Sequence, residues 1–147
     1  MLPETAGNGR VSKAFAGSLD ANVLLRLLLN DIPKQHQAVA NLFDTAPGQF
    51  DVADTAVIEV VFVLERYYQF TRIQILEAIQ GIMALTSVNC NREVFTHALP
   101  LFTKHASLSF EDCCLVAYAE LNQAKPLWTF DQKLARVTSA ELVAIAS

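Results

Sequence analysis

An apolar run that stops at an acid constrains the architecture of this chain more than any other stretch. Ala14 to Leu19 has the length and the small, apolar composition of a buried strand. Asp20 ends it and Asn22 follows two residues on. Val23 to Leu29, broken only by Arg26, is then a second apolar run suited to a helix. An acid at a strand-to-helix switch is informative, because open parallel α/β sheets bind ligands outside the carboxyl ends of their strands. Asp20 suits a metal or phosphate ligand there, with Asn22 near enough to orient it. It equally suits the N-cap of the helix that follows.

The alternation continues along the chain. Pro33 fits the first turn of a second helix, which Ala46-Pro47-Gly48 ends, and residues 49–53 form a short strand. Asp54 or Thr55 caps a helix reading AVIEVVFVLERYY, apolar nearly all round and so expected to be buried on most sides. Glu59 sits in its middle, where a carboxylate is costly unless paired, hydrogen-bonded or bound to a metal. A helix over residues 71–85 and a brief strand over 87–90 come next. Asn91 or Arg92 then opens a helix that Pro100 should bend or split. Ser109 with Asp112 three residues later is a capping box, with Asp for the usual Glu, at the head of CCLVAYAELN. Residues 126–130 form a strand of the buried kind, with Thr129 and Asp131 at its carboxyl end. Asp131 also suits the N-cap of a short helix to Val137, and residues 141–146 suit a last edge strand. Strands alternating with helices predict a parallel sheet with helices on both faces.

At 147 residues the chain suits one domain with a real core. Its 52% hydrophobic and 18% charged residues exclude a disordered class. No apolar run reaches the roughly 18 residues of a membrane span. Residues 1–12 lack the apolar core of a signal peptide and read as a flexible tail, which leaves residues 13–147 as a single domain. Cys90, Cys113 and Cys114 make no CxxC pair, which fits reduced thiols in a cytoplasmic protein and gives a zinc site no support. The net charge of −4, from 11 basic and 15 acidic residues, counts against a nucleic-acid partner until it is explained.

The acids explain it. Asp20, Asp112 and Asp131 fall where a strand ends or a helix begins, positions that share one rim of a parallel sheet, and Glu59 is close enough to the start of its helix to look over that rim. Carboxylates sharing a cleft repel unless a cation is present, and oxygen-only ligands suit Mg²⁺ or Mn²⁺. Setting the four aside leaves 11 acidic residues against 11 basic ones. The rest of the surface is then neutral and can carry a basic margin, with Arg26, Lys133 and Arg136 as candidates. His36, His97 and His105 adjoin none of these motifs.

SLDANVLLRLLL, VIEVVFVLERYY, LSFEDCCLVAYA and PLWTFDQKLA, in that order, resemble the PIN domain, and most of all the VapC-type toxin ribonucleases of prokaryotic toxin–antitoxin pairs. The resemblance covers about residues 13–137. It implies a three-layer α/β/α fold with a central, mainly parallel sheet of four to five strands. It also implies Mg²⁺- or Mn²⁺-dependent hydrolysis of RNA phosphodiesters, with Asp20, Glu59, Asp112 and Asp131 as metal-binding acids and Asn22 and Thr129 as supporting groups. A cognate antitoxin and a homodimer follow from the same likeness. Ala21 departs from it, since many relatives carry Thr or Ser there. Two rival classes share the sheet-end acid: a metal-dependent phosphatase or phosphoacceptor domain, which usually needs a second acid beside the first and a lysine late in the sheet, and a catalytically silent binding module of the same fold. A silent module should respond little to Mg²⁺.

Overall fold

The computed structural model describes residues 14–146, so the expected tail over 1–12 lies outside the described residues. The chain divides into two compact units, one running to Val60 and taking in Ile82–Cys90, the other comprising Val61–Gly81 and the chain from Asn91 onward.

The first unit is built on a three-stranded parallel sheet. Strand β1 (Gly17–Ser18) pairs with β2 (Phe50–Asp51), and β2 pairs with β3 (Val88–Asn89), so β2 is central. Bonds from Ala16 N–H to Gln49 O and from Leu19 N–H to Asp51 O extend the first ladder, at 2.7 and 3.0 Å. Gly17 has φ +148°, a conformation that side chains disfavour, so the backbone itself calls for glycine there. Helix α1 (Ala21–Leu28) follows β1, and α2 (Pro33–Thr45) starts with proline at a position that needs no N–H donor. Phe43 of α2 packs on Phe50 of β2 with ring centroids 5.0 Å apart.

Helix α3 (Asp54–Arg66) belongs to the first unit through Val60 and to the second from Val61. It corrects one expectation. Val57, Val60, Val61 and Leu64 are buried at helical spacing, whereas Glu59 and Phe62 are exposed. The helix therefore buries one stripe and not most of its circumference.

In the second unit, α4 (Arg72–Met83) begins at Arg72, and α5 (Arg92–Lys104) packs against α6 (Phe110–Leu121). Phe110 lies between Phe95 and Phe102, at 6.1 and 5.3 Å. Pro100 does not split α5. The helix runs through it, because Val94, Phe95, Ala98, Leu99 and Phe102 bury a continuous face on both sides of the proline. Strand β4 (Trp128–Thr129) pairs in parallel with β5 (Glu141–Leu142), and α7 (Gln132–Val137) connects them. Trp128 and Phe130 are exposed, contrary to the buried strand expected there.

All described strand pairs are parallel, and helices lie between successive strands. The strands pair over two residues each, shorter than the apolar runs that announced them.

Arg72 organises the turn between α5 and α6. Its Nη1 lies 2.9, 3.1 and 2.7 Å from the carbonyl oxygens of Phe102, His105 and Leu108, to which it donates. Its Nε donates to Glu65, and its guanidinium sits 4.0 Å from the centre of the Phe102 ring. These carbonyls close α5 and lead into Ser109, so one side chain fixes the approach to the first turn of α6.

Candidate functional site

Asp20 leaves β1 in an extended conformation and caps α1, its Oδ1 accepting from the Val23 N–H at 3.0 Å. The capping role is therefore present. It occupies one oxygen; the other makes no hydrogen bond among the described residues. Asp20 opens on a cavity of about 240 Å³ whose walls come from Asn22 and Val23 of α1 and Gln35, Ala38 and Val39 of α2. Asn22 makes no hydrogen bond to Asp20 and contributes to the wall instead.

Arg26 completes that wall but is not a solvated cation. It is 8% exposed and pairs through Nη1 with Asp31 Oδ1 at 2.8 Å. It shares the buried stripe of α1 with Leu24 and Leu25, which draws its stem inward. His36 Nδ1 lies 2.7 Å from the Arg26 carbonyl oxygen and donates to it in the tautomer protonated there.

Glu59 projects from the exposed face of α3 and makes no hydrogen bond among the described residues. Burial therefore does not demand a partner for it, and the argument from the cost of a buried charge falls away. What remains is a solvent-facing carboxylate in the second turn of α3.

Asp112 is half-buried in the first turn of α6. Its N–H donates to Ser109 Oγ at 3.1 Å, so only the serine half of the expected capping box forms, and the Asp112 carboxylate makes no hydrogen bond among the described residues. Asp131 caps α7, its Oδ1 accepting from Lys133 N–H at 2.8 Å and Leu134 N–H at 3.2 Å. Thr129 Oγ1 accepts from the Asp131 N–H at 2.9 Å and so fixes where the acid leaves the strand. Lys133 and Arg136 are exposed and make no ion pair among the described residues.

Asp20 and Glu59 belong to the first unit, Asp112 and Asp131 to the second. Among the described residues no three His, Cys, Asp or Glu side chains are gathered so as to hold a metal ion. The donors at these four positions are all oxygens, which match a hard cation in chemistry. Such a cation also binds through one or two carboxylates together with substrate phosphates, without a cage of protein ligands.

Away from these acids, Glu120 of α6 accepts from Ser139 Oγ and lies 2.5 Å from His97 Nε2. The Ser139 and His97 hydrogen bonds hold its carboxyl below the usual carboxylate range. A group whose pKa is lowered by folding adds stability above its unfolded value and loses it as pH falls through the folded one. Glu120→Gln should therefore cost about 1 kcal/mol at pH 7, a modest figure because the pair is partly exposed, and less at an acidic pH that protonates the folded carboxyl. Urea unfolding at the two pH values measures this, and an equal loss at both would show that the charge is not what matters. Burial pushes the Cys113 thiol up to about 11, so it stays protonated and unreactive at neutral pH. No described helix is long and apolar enough to cross a membrane.

Parallel strands with helices between them define an α/β protein. Within that class, the chain belongs to the PIN-domain family, whose model matches residues 18–140, and its fold is the α/β fold of that family. Proteins of this family are generally nucleases. None of the curated proteins matches the chain. Among solved structures it is similar to a toxin–antitoxin complex from Klebsiella pneumoniae, at 20% identity over 85% of this chain and 93% of that one, with a TM-score of 0.31.

The sequence pointed to every acid but not to Gln35 or Arg72. Gln35 lies 15 positions after Asp20 on another helix, and no motif announces either residue.

Proposed function

We propose that this protein is a Mg²⁺-dependent endoribonuclease and the toxin of a toxin–antitoxin pair. The observation that carries the reading is the state of the four acids in a chain of the PIN family. Among the described residues, Asp20 and Asp131 each cap a helix with one oxygen and keep the other clear of partners, and the Asp112 and Glu59 carboxylates make no hydrogen bond. A capping acid held by backbone N–H groups is rigidly aimed while retaining an oxygen for a cation.

The candidate ligands for Mg²⁺ or Mn²⁺ are Asp20, Glu59, Asp112 and Asp131, of which one or two would hold the ion together with phosphates of the RNA. The metal, when bound, supplies a polarised phosphoryl oxygen and a more acidic attacking water. Thr129 keeps Asp131 in place through its N–H, and the capping bonds of α1 do the same for Asp20. Lys133 and Arg136 offer free positive charge for the RNA backbone. Arg26 reaches an RNA only from the cavity wall, since Asp31 already holds its guanidinium. As a toxin acting on its own cell's RNA, the protein would work in the cytoplasm.

The direct test incubates the purified protein with RNA in Mg²⁺ and in EDTA and sequences the ends. Cuts with Mg²⁺ alone support the reading; intact RNA under both conditions defeats it. Glu59 allows a separate check. Because it is exposed and makes no hydrogen bond among the described residues, Glu59→Gln and Glu59→Leu should leave apo stability within about 0.5 kcal/mol of the parent. Both should lose the rise in melting temperature that Mg²⁺ gives. A large apo loss in either would mean that Glu59 is a structural group.

Two partners belong to the same reading. An antitoxin would need to neutralise the acids, and an arginine side chain, with its planar fork of donors, is suited to a carboxylate. Co-expression with the neighbouring small open reading frame should yield a complex without ribonuclease activity; an uninhibited nuclease that purifies alone would leave the nuclease without the toxin role. A homodimer would cover the exposed Phe62, Tyr67, Tyr68 and Ile73 at the junction of α3 and α4, where Phe62 and Tyr67 meet edge to face at 6.5 Å. Light scattering should give twice the chain mass.

A further inference from the structure

We propose that the cavity between α1 and α2 receives one unstacked nucleobase of the RNA and that Gln35 reads the edge of that base. This rests on the ribonuclease reading and names a specificity residue for it.

Size is the first argument. At about 240 Å³ the cavity lies below the roughly 300–1,000 Å³ of drug-sized sites. One ring system fits that volume.

The second is the chemistry of the walls. Val23, Ala38 and Val39 supply apolar surface, while Asn22 and Gln35 supply side-chain amides that make no hydrogen bond among the described residues. A flat heterocycle has apolar faces and a polar edge, and an apolar slot with a few polar groups matches it. An inorganic anion or cation would gain nothing from the apolar wall. An amide presents a donor and an acceptor side by side, the complement of an adenine edge. Single-stranded RNA is recognised through bases splayed out of the stack, so such a base is within reach of a protein slot.

The third is preorganisation. The Arg26–Asp31 pair at 2.8 Å and the His36 bond to the Arg26 carbonyl at 2.7 Å tie the end of α1 to the start of α2. These contacts fix the backbone on which the slot is built, while the exposed Gln35 and Asn22 side chains are ordered on binding. Asp20 belongs to the same wall, so a base held here adjoins the phosphate that Asp20 serves.

The test cuts a randomised single-stranded RNA with the wild type, Gln35→Ala and Gln35→Glu and sequences the ends. The wild type should favour adenine at one position beside the cut by about tenfold, the scale of one good amide–base pair. Gln35→Ala should flatten that preference, cutting beside adenine and beside the other bases at equal rates. Gln35→Glu, which only accepts, should move the preference toward cytosine, whose amino group donates. The same base distribution for all three proteins overturns the proposal. If the wild type does not cut RNA at all, the nuclease reading fails, and the slot is then tested by the NMR signals of the Gln35 and Asn22 side-chain amides. Shifts of both on titration with adenosine 5′-monophosphate support a base slot. No shift at millimolar nucleotide overturns it, as does a shift caused by an arginine-containing peptide and not by the nucleotide, which would assign the slot to a protein partner.

Discussion

Asp20→Asn should reduce RNA cleavage at least about a hundredfold, the usual cost of removing one group that stabilises charge in a transition state, and leave the fold intact. The substitution is informative because Asp20 has two jobs that can be separated. Its Oδ1 caps α1 through the Val23 N–H, and asparagine caps a helix as well as aspartate does. What asparagine removes is the charge. Asp20→Ala removes both, so it should match Asp20→Asn in lost activity and add a stability loss of about 1 kcal/mol. Cleavage kinetics in Mg²⁺ and denaturant unfolding, run on both variants, distinguish the two jobs. Wild-type cleavage by Asp20→Asn would exclude Asp20 from the reaction.

The largest stability effect should come from Arg72→Ala, at about 3 kcal/mol, which for a chain of this size lowers the melting temperature by roughly 6–12 °C. Three carbonyl oxygens at the α5–α6 turn share the two N–H bonds of its Nη1, and the Phe102 ring stacks on the guanidinium. Alanine would leave those carbonyls short of donors and the ring without its cation. Arg72→Lys should fall between the two. Lysine keeps a charge and can reach a carbonyl, but it lacks the flat fork that spans three acceptors while covering a ring. Calorimetric melting of the three proteins gives the order. Equal stability for Arg72→Lys and wild type would mean that the charge alone matters, and that the planar geometry does not.

The two effects differ in how far the sequence shows them. Helix starts are local events. The caps at Asp20, Asn91, Ser109 and Asp131 are i to i+2 or i+3 contacts between a side chain and the backbone just ahead, so short polar residues before an apolar run were enough to place them. The alternation of apolar runs likewise gave parallel strands with helices between them, and four motifs in order gave the PIN family. Strand lengths were not legible, because apolar composition marks where a strand lies and not where its ladder pairs.

What the sequence by itself determined, then, is the succession of elements and the position of Asp20, Asp112 and Asp131 at the heads of helices. The tertiary structure decided everything that depends on contacts made after the chain closes on itself. It exposed Glu59, since α3 needs only the stripe from Val57 to Leu64 for packing and leaves its other face to solvent. It buried Arg26 against Asp31 although both look like surface charges in the sequence. It kept α5 whole across Pro100, because apolar contacts on both sides of the proline outweigh one missing hydrogen bond. It set Gln35 beside Asp20 and Arg72 beneath the α5–α6 turn. Each of these joins residues whose neighbours in space are fixed by how helices pack, and packing depends on the summed shape of many side chains, which no short stretch of sequence carries.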